Sequence, residues 1–226
     1  MERLLKKSFL TMAIALFSVI AFAKNTAEPN AKYVSGKEYI EVTVPSGLPL
    51  LSTEKNSGIQ VVEFFSYGCP HCGELEPVLE KWLKSKPENV QFYRIPVEWF
   101  RGWDNLGKAY FVAEQLKVTD KVNMALFDAV QNKKINPNDV KAIAAVFQEH
   151  AGISNDVFMK TFDSFGVNVS QTRGQQWVAG YKVRGVPTLV VDGRFLTDAA
   201  KAGSVETLPD IINYLVNLAA HPVKAQ

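Results

Sequence analysis

The fold of this chain is decided by residues 61–72, VVEFFSYGCPHC, where a strand pattern runs directly into a pair of cysteines. Apart from Glu63, the first five residues are apolar, which predicts a buried strand. Cys69 and Cys72 are the only cysteines in the chain. Their i, i+3 spacing brings both thiols to the first turn of a helix. A Cys-x-x-Cys pair at a strand-to-helix junction is typical of a redox-active dithiol.

Two other interpretations of the cysteines are a structural disulfide and a metal site. Bridging residues i and i+3 closes a very short loop, so the chain-entropy stabilisation would be small. A structural zinc ion takes four ligands, and besides the two thiols the chain offers only His71, His150 and His221. We therefore predict a redox pair that uses no metal and no cofactor other than the Cys69–Cys72 disulfide itself.

The N-terminal sequence predicts export. A basic start precedes an apolar run over residues 9–22, and small residues at positions 21 and 23 match a cleavage site. We predict a cleaved signal peptide over residues 1–23. An uncleaved anchor is the alternative, but the run is short and contains Thr11 and Ser18, whereas a span needs about 20 mostly apolar residues.

Removal of this signal changes the charge balance. The chain has 25 basic and 23 acidic residues, and three of the basic residues and one acidic residue lie within the signal. The mature protein therefore carries equal numbers of both. Nothing in this balance favours a nucleic-acid surface or a polybasic membrane patch.

The first half of the mature chain predicts a βαβ unit. An edge strand is expected over residues 39–44, and core strands over 61–66 and 90–95. Between the core strands, apolar residues recur at helical spacing from Leu75 to Trp82, which predicts a helix that packs on a parallel sheet.

The second half of the mature chain begins with a long helical stretch and then returns to strand patterns. Residues 104–180 show helical stripes and helix punctuation, which predicts four or five short helices. Strand patterns return at residues 188–191 and 194–196, and the Asp192-Gly193 pair between them predicts a hairpin. A C-terminal helix follows, with Thr207 expected to cap its start.

Two stretches resemble the DsbA family of bacterial periplasmic thiol oxidases. Residues 63–72, EFFSYGCPHC, resemble that family's active-site stretch, and residues 183–187, VRGVP, resemble its cis-proline loop. The resemblance implies an α/β, thioredoxin-like fold with an inserted α-helical subdomain. With the pattern limits above, the thioredoxin-like domain is expected at residues 24–103 and 181–226 and the insertion at 104–180. It also implies a periplasmic location.

The residues of the motif predict separate roles for the two thiols. Cys69 is expected to be the reactive sulfur, which attacks as a thiolate and is attacked when it is part of the disulfide. Helix N–H groups and the positive end of the dipole stabilise a thiolate at this position. Cys72, one turn further along, is the more shielded resolving thiol. Pro70 suits the first helical position, and His71 is expected to lower the pKa of the thiolate; an ordinary solvent-facing role is the alternative.

Three further residues are candidates for accessory roles. Glu63 is the one charge in its strand, and we expect a buried carboxylate that exchanges protons with Cys72; a partly exposed strand end is the alternative. Pro187 predicts a cis peptide bond. Val186 and Pro187 would then bind extended substrate through main-chain hydrogen bonds, as the resemblance implies.

Trp99, Phe100 and Trp103 fit two interpretations equally well, an apolar lip for peptide binding and packing at the domain junction. Gly73 departs from the family pattern, in which an aromatic residue is more familiar after the second cysteine.

These features predict a dithiol oxidase that donates its disulfide to unfolded or reduced exported proteins. The resemblance implies recharging by a DsbB-like quinone-linked membrane oxidase. An exported reductase or isomerase on the same fold is the alternative, and a peptide-binding chaperone with incidental thiols is a third hypothesis.

Overall fold

A computed structural model describes residues 31–49 and 58–221. The predicted signal peptide over residues 1–23 lies outside these ranges. Within them, no helix combines the length and the apolar character needed to cross a bilayer.

The described residues form one five-stranded sheet with eight helices around it. The strands are β1 (Ile40–Glu41), β2 (Ile59–Phe65), β3 (Val90–Pro96), β4 (Thr188–Val191) and β5 (Phe195–Asp198). The helices are α1 (Pro70–Ser85), α2 (Trp103–Leu116), α3 (Thr119–Gln131), α4 (Val140–Ala151), α5 (Asn155–Phe162), α6 (Phe165–Gly180), α7 (Ala199–Ala202) and α8 (Leu208–Ala220).

The sheet has the strand order β1-β5-β4-β2-β3. Strands β2 and β3 are parallel and joined by α1, which confirms the predicted βαβ unit. The other neighbours are antiparallel. Helix α1 runs without interruption through Pro77 and buries Leu75, Leu79 and Trp82 against the sheet.

Helices cover both faces of the sheet. Helices α1 and α8 pack on one face around Val61 and Leu189, where burial of apolar side chains supplies the main driving force. The C-terminal half of α6 covers the opposite face, where Trp177 and Val178 pack on Val62 and other strand residues.

A second layer consists of the consecutive helices α2 to α6, as the sequence pattern predicted for this part of the chain. Its apolar core, made by residues such as Leu126 and Phe147, is continuous with Phe65, Cys69 and Cys72. The dithiol therefore lies where the helical core meets the end of β2. Because α6 serves both layers, the domain limits at residues 104 and 180 stay a prediction.

The hairpin between β4 and β5 confirms the turn predicted from Asp192-Gly193. Both residues have positive φ, 52° and 68°, which is the conformation that this pair adopts most readily. The N–H of Arg194 closes the turn on the carbonyl of Val191 at 3.1 Å.

Two local predictions need correction. The edge strand is shorter than predicted, because only Ile40 and Glu41 pair in register with β5. The predicted cap of α8 is wrong: Thr207 has helical backbone angles and makes no side-chain cap bond. Its hydroxyl instead donates to the carbonyls of Ala202 and Ser204, and so holds the preceding loop.

Candidate active site

The two thiols lie at the start of α1, at different depths. Cys69 is the N-cap residue with an extended backbone, and Pro70 occupies the first helical position, where its missing N–H leaves no bond unmade. Both cysteines are free thiols in this structure. Cys69 is 8% exposed and Cys72 is fully buried, so a client sulfur can approach only the first.

The surroundings of Cys69 favour its thiolate. The Cys72 thiol donates a hydrogen bond to the Cys69 sulfur, and this is the largest cause that lowers the pKa of Cys69 to about 6. Burial opposes the shift, whereas the backbone N–H groups of Cys72 and His71 add to it. These N–H groups are the unpaired donors of a helix N-terminus.

The surroundings of Cys72 act in the opposite direction. Burial is the largest cause that raises the pKa of the Cys72 thiol far above its usual range. The neighbouring Cys69 sulfur and the charge of Glu63 raise it further. The pair therefore holds one thiolate and one thiol, with the negative charge on the more accessible sulfur.

His71 lies between the two cysteines in the chain, and its side chain is mostly exposed to solvent. Its side chain is 70% exposed, and its Nδ1 is 2.9 Å from a carboxylate oxygen of Glu74. That hydrogen bond is the main cause that raises the pKa of His71. The imidazolium charge is the smallest of the causes that lower the pKa of Cys69. His71 thus acts on Cys69 mainly through its main-chain N–H.

The cis-proline loop lies against the nucleophile. The peptide bond between Val186 and Pro187 is cis, as predicted. The Cys69 sulfur is 3.3 Å from the carbonyl oxygen of Val186. The hydroxyl of Thr188 donates to the carbonyl of Gly185 at 2.7 Å and so ties the two ends of the loop together.

An open groove of about 600 Å³ extends from this loop. His71, Glu74, Val186, Pro187, Ala199 and Val205 are among the residues that line it. Its mixed apolar and polar surface includes Val186, whose carbonyl oxygen contacts the Cys69 sulfur.

Glu63 lies fully buried in β2, so the partly exposed strand end is excluded. One of its carboxylate oxygens accepts a hydrogen bond from Nε of Arg94 at 3.0 Å. The guanidinium also donates to Glu76 at 2.7 Å. Asn123 donates to the same oxygen of Glu76 at 2.6 Å and accepts from the hydroxyl of Tyr67 at 2.9 Å.

This buried cluster contains two carboxyl groups and a single guanidinium. Burial is the largest cause that raises the pKa of both carboxyl groups, to about 8 for Glu76, and Arg94 opposes it. Among the described residues, one oxygen of Glu63 and one of Glu76 have no hydrogen-bond partner. A second negative charge is costly in such surroundings, so the cluster can hold a proton close to Cys72.

Arg94, Glu76 and Asn123 were not among the site residues predicted from the sequence. A signal for the first was present, because Arg94 is the one charged residue of β3, as Glu63 is of β2. The two residues are direct partners in the parallel register of β2 and β3. No comparable signal marked Asn123, which reaches the cluster from α3.

The three aromatic residues after β3 divide into two groups. The indole of Trp103 packs on Gly68, where an added Cβ would lie 2.2 Å from its Nε1. Trp99 and Phe100 are 40% and 63% exposed. The rings of Phe100 and Trp103 meet edge to face at 4.7 Å, so an exposed apolar surface continues from the active-site turn.

Among the described residues, no three side chains of the kinds that bind metals come together.

Comparisons with known proteins identify the family of the chain. A family model described as "DSBA-like thioredoxin domain" matches residues 93–211, just over half of the chain. The thiol:disulfide interchange protein DsbA of Pseudomonas syringae pv. tomato is 32% identical, over 98% of this chain and 99% of its own. That of Azotobacter vinelandii is 32% identical, over 89% of this chain and 91% of its own.

Solved structures give the same result. The crystal structure of Pseudomonas aeruginosa DsbA superposes with a TM-score of 0.75 at 30% identity and covers 83% of this chain and 95% of its own. That of Xylella fastidiosa DsbA has a TM-score of 0.73 at 27% identity, over 83% and 98%. With its thioredoxin-like fold and a dithiol at the start of α1, the chain belongs to the DsbA family of thiol:disulfide oxidoreductases.

Proposed function

We propose that this protein donates the Cys69–Cys72 disulfide to reduced exported proteins in the periplasm. The observation that carries the proposal is the asymmetry of the two thiols. The pKa of Cys69 is lowered to about 6, whereas that of Cys72 is raised. A stable thiolate is a good leaving group and favours the reduced form of the pair, and both properties belong to a disulfide donor.

The reaction has two exchange steps. A client thiolate attacks the Cys69 sulfur of the disulfide, a mixed disulfide forms, and Cys72 leaves with the electron pair. A second client thiolate then attacks the client sulfur of the mixed disulfide, and Cys69 leaves as a thiolate. The client has lost two electrons to the dithiol. Cys72 takes up one proton, and the other goes to solvent.

Glu63 would serve the proton step. The leaving Cys72 sulfur is buried and holds a charge poorly, so it needs a proton as the bond breaks. Glu63 is buried, influences the pKa of Cys72 and has a raised pKa itself. Arg94 and Glu76 would set the charge of Glu63, which makes them positioning residues.

Client binding would use the loop beside Cys69. An extended client segment can pair with the main chain of Val186 and Pro187, a mode that tolerates many sequences. The groove next to this loop and the exposed ring of Phe100 offer further apolar contact. A DsbB-like quinone-linked membrane oxidase would restore the disulfide by attack at the same sulfur.

The proposal is tested with a synthetic peptide that carries two cysteines on a flexible linker. The oxidised protein should form one peptide disulfide for each dithiol reduced, and Cys69→Ser should form none. Cys72→Ser should accumulate the mixed disulfide with the peptide. Full activity of Cys69→Ala toward clients would instead support a chaperone with incidental thiols.

A second assay distinguishes a donor from an isomerase or reductase. The reduced protein is mixed with a client that contains scrambled disulfides. A donor should reshuffle these bonds slowly, because its reduced form is stable. Strong reshuffling, together with a reduced resting state in periplasmic extracts, would overturn the assignment.

A further inference from the structure

Gln131, the last residue of α3, lies directly against the active-site turn. Its side-chain amide donates to the carbonyl of Cys69 at 2.9 Å and to that of Tyr67 at 3.3 Å. These two carbonyls stand on either side of Gly68. One side chain of the helical layer thus holds the main chain of the turn that carries the nucleophile.

Gly73 provides the space for this contact. A Cβ at this position would lie 2.3 Å from Oε1 of Gln131 and 2.5 Å from its Nε2. The backbone does not demand glycine there, because Gly73 is not among the positive-φ residues. Glycine inside a helix costs about 1 kcal/mol relative to alanine. The close approach of Gln131 gives this unfavourable residue a physical reason.

The carbonyl of Cys69 also organises the first turn of α1. It accepts from the N–H groups of Cys72 at 3.1 Å and Gly73 at 3.2 Å. The N–H groups of His71 and Cys72 in turn stabilise the Cys69 sulfur. Fixing this carbonyl therefore fixes the direction of the donors on which the thiolate depends.

We propose that Gln131 is a positioning residue of the dithiol, and that Gly73 is glycine so that the Gln131 amide can reach the carbonyls of Tyr67 and Cys69. This inference rests on the proposed role of Cys69 as the reacting thiolate. It also assigns the helical layer a part in the chemistry, because α3 contributes directly to the geometry of the reacting sulfur. Pre-organised donors of this kind act without any reorganisation at the moment of reaction.

Loss of the amide should make the protein a weaker oxidant. One hydrogen bond contributes about fivefold to an equilibrium constant. Only the part of this contribution that differs between the two redox forms enters the redox equilibrium. We therefore expect Gln131→Ala to lower the equilibrium constant for reduction by glutathione by at most about that factor. Thiolate absorbance should show a parallel rise in the pH at which Cys69 ionises. Gly73→Ala should produce a similar change, because the added Cβ displaces the amide.

The experiment compares four proteins with the parent: Gln131→Ala, Gly73→Ala, the double variant, and Gln148→Ala as a control. Gln148 is an exposed glutamine near the C-terminal end of α4. Each protein is equilibrated with glutathione buffers, its thiolate is titrated, and its unfolding in urea is followed. The double variant should match Gln131→Ala in both redox readouts, because Gly73→Ala acts only through the glutamine.

Three outcomes would overturn the inference. If Gln131→Ala has the same redox potential and the same thiolate titration as the parent, Gln131 is only a structural contact, even if the variant is less stable. The inference would also be contradicted if Gly73→Ala added its full redox shift to that of Gln131→Ala in the double variant. An equal redox shift in the control Gln148→Ala would contradict it too. If the parent itself shows no low-pKa thiolate and no oxidising potential, the proposed function fails instead.

Discussion

The sulfur of Cys69 lies 3.3 Å from the main-chain oxygen of Val186, although the two residues are 117 positions apart in the chain. A thiol can donate to this oxygen, but a thiolate cannot. When Cys69 is a thiolate, the Val186 oxygen loses this donor. An extended client bound in this position would supply an N–H in its place.

The shape of the Val186 loop should matter for client binding more than for the thiol pKa. Thr188→Val keeps the volume of the side chain but loses its 2.7 Å hydrogen bond to Gly185. We expect a loss of about 1 kcal/mol in the free energy of unfolding. The KM for the two-cysteine peptide should rise, while the thiolate titration of Cys69 stays unchanged.

Thr197 provides a control for this substitution. It is another buried threonine, whose hydroxyl donates at 2.8 Å to the carbonyl of Glu38. It lies in β5, which β4 separates from β2, and its hydrogen bond does not involve the Val186 loop. Thr197→Val should cost similar stability and leave KM unchanged. Equal KM values for the two variants would contradict a client-binding role of the loop.

The Cys72 hydrogen bond should be the largest single support of the Cys69 thiolate. Cys72→Ala removes the donor, whereas Cys72→Ser keeps a hydroxyl in its place. Hydrogen bonds to charged groups are worth about 1.5–3 kcal/mol, so the pKa of Cys69 should rise by about 1–2 units in Cys72→Ala. Thiolate absorbance against pH measures this rise, and the serine variant should show a smaller one.

His71→Ala provides the comparison for Cys72→Ala. Its imidazolium pairs with Glu74, and its charge contributes least to the pKa of Cys69. The alanine variant keeps the main-chain N–H and should shift the titration less than Cys72→Ala does. A larger shift would mean that the His71 side chain acts on the thiolate directly.

The cluster around Arg94 should show itself in the pH dependence of stability. Arg94→Leu leaves Glu63 and Glu76 buried without a cation, which costs about 3–5 kcal/mol when they are ionised. Their pKa values are already raised by burial. An acid with a raised folded pKa binds protons more readily when folded, so the variant should regain stability as the pH falls from about 8 to about 5.

Urea unfolding at several pH values measures this effect. Arg194→Leu is the matched control, because its ion pair with Asp192 is partly exposed and such pairs are worth about 1 kcal/mol or less. A stability loss in Arg94→Leu that is the same at pH 5 and pH 8 would show that Glu63 and Glu76 do not carry the buried charge.

How far the sequence predicts this site depends on how local each contact is. The position of Cys69 at a helix start follows from residues within one turn, and the hairpin follows from the Asp192-Gly193 pair; both were correct. The depth of Glu63 also followed from its strand pattern. These features are set by neighbours in the chain.

Contacts between residues that are far apart in the chain could not be predicted from local sequence patterns. Gln131 reaches Cys69 across 62 positions and Asn123 reaches Glu76 across 47. Which side chain fills such a space depends on how α3 packs over α1, and no periodicity encodes it. Gly73 departs from the family pattern, but the sequence does not explain why. The reason is visible only in the structure, where the Gln131 amide occupies the space that a side chain at position 73 would take.

The low pKa of Cys69 should also appear in the stability of the reduced protein. The ordinary pKa of the thiol is 9.0 and the folded value is about 6. The stabilisation is therefore fully present above about pH 9 and is lost as the pH falls to about 6. Near pH 7.5, the reduced protein should lose stability relative to the oxidised one by about 1.4 kcal/mol for each unit of decrease in pH.

Unfolding of both redox forms between pH 6 and 8 measures this difference. The double variant Cys69→Ser, Cys72→Ser has no thiolate and should follow the pH profile of the oxidised protein. A constant gap between the reduced and oxidised forms over this range would exclude a stabilised thiolate.

The equilibrium of the dithiol with glutathione tests the central claim most directly. The protein is equilibrated in buffers of graded oxidised and reduced glutathione, and its free thiols are trapped and counted. We predict that the pair stays reduced even in strongly oxidising mixtures, since the Cys69 thiolate stabilises that form. About 30 mV corresponds to about 1.4 kcal/mol for this couple, so a coarse titration suffices. A pair that stays oxidised until glutathione is mostly reduced would identify a reductase and contradict the account.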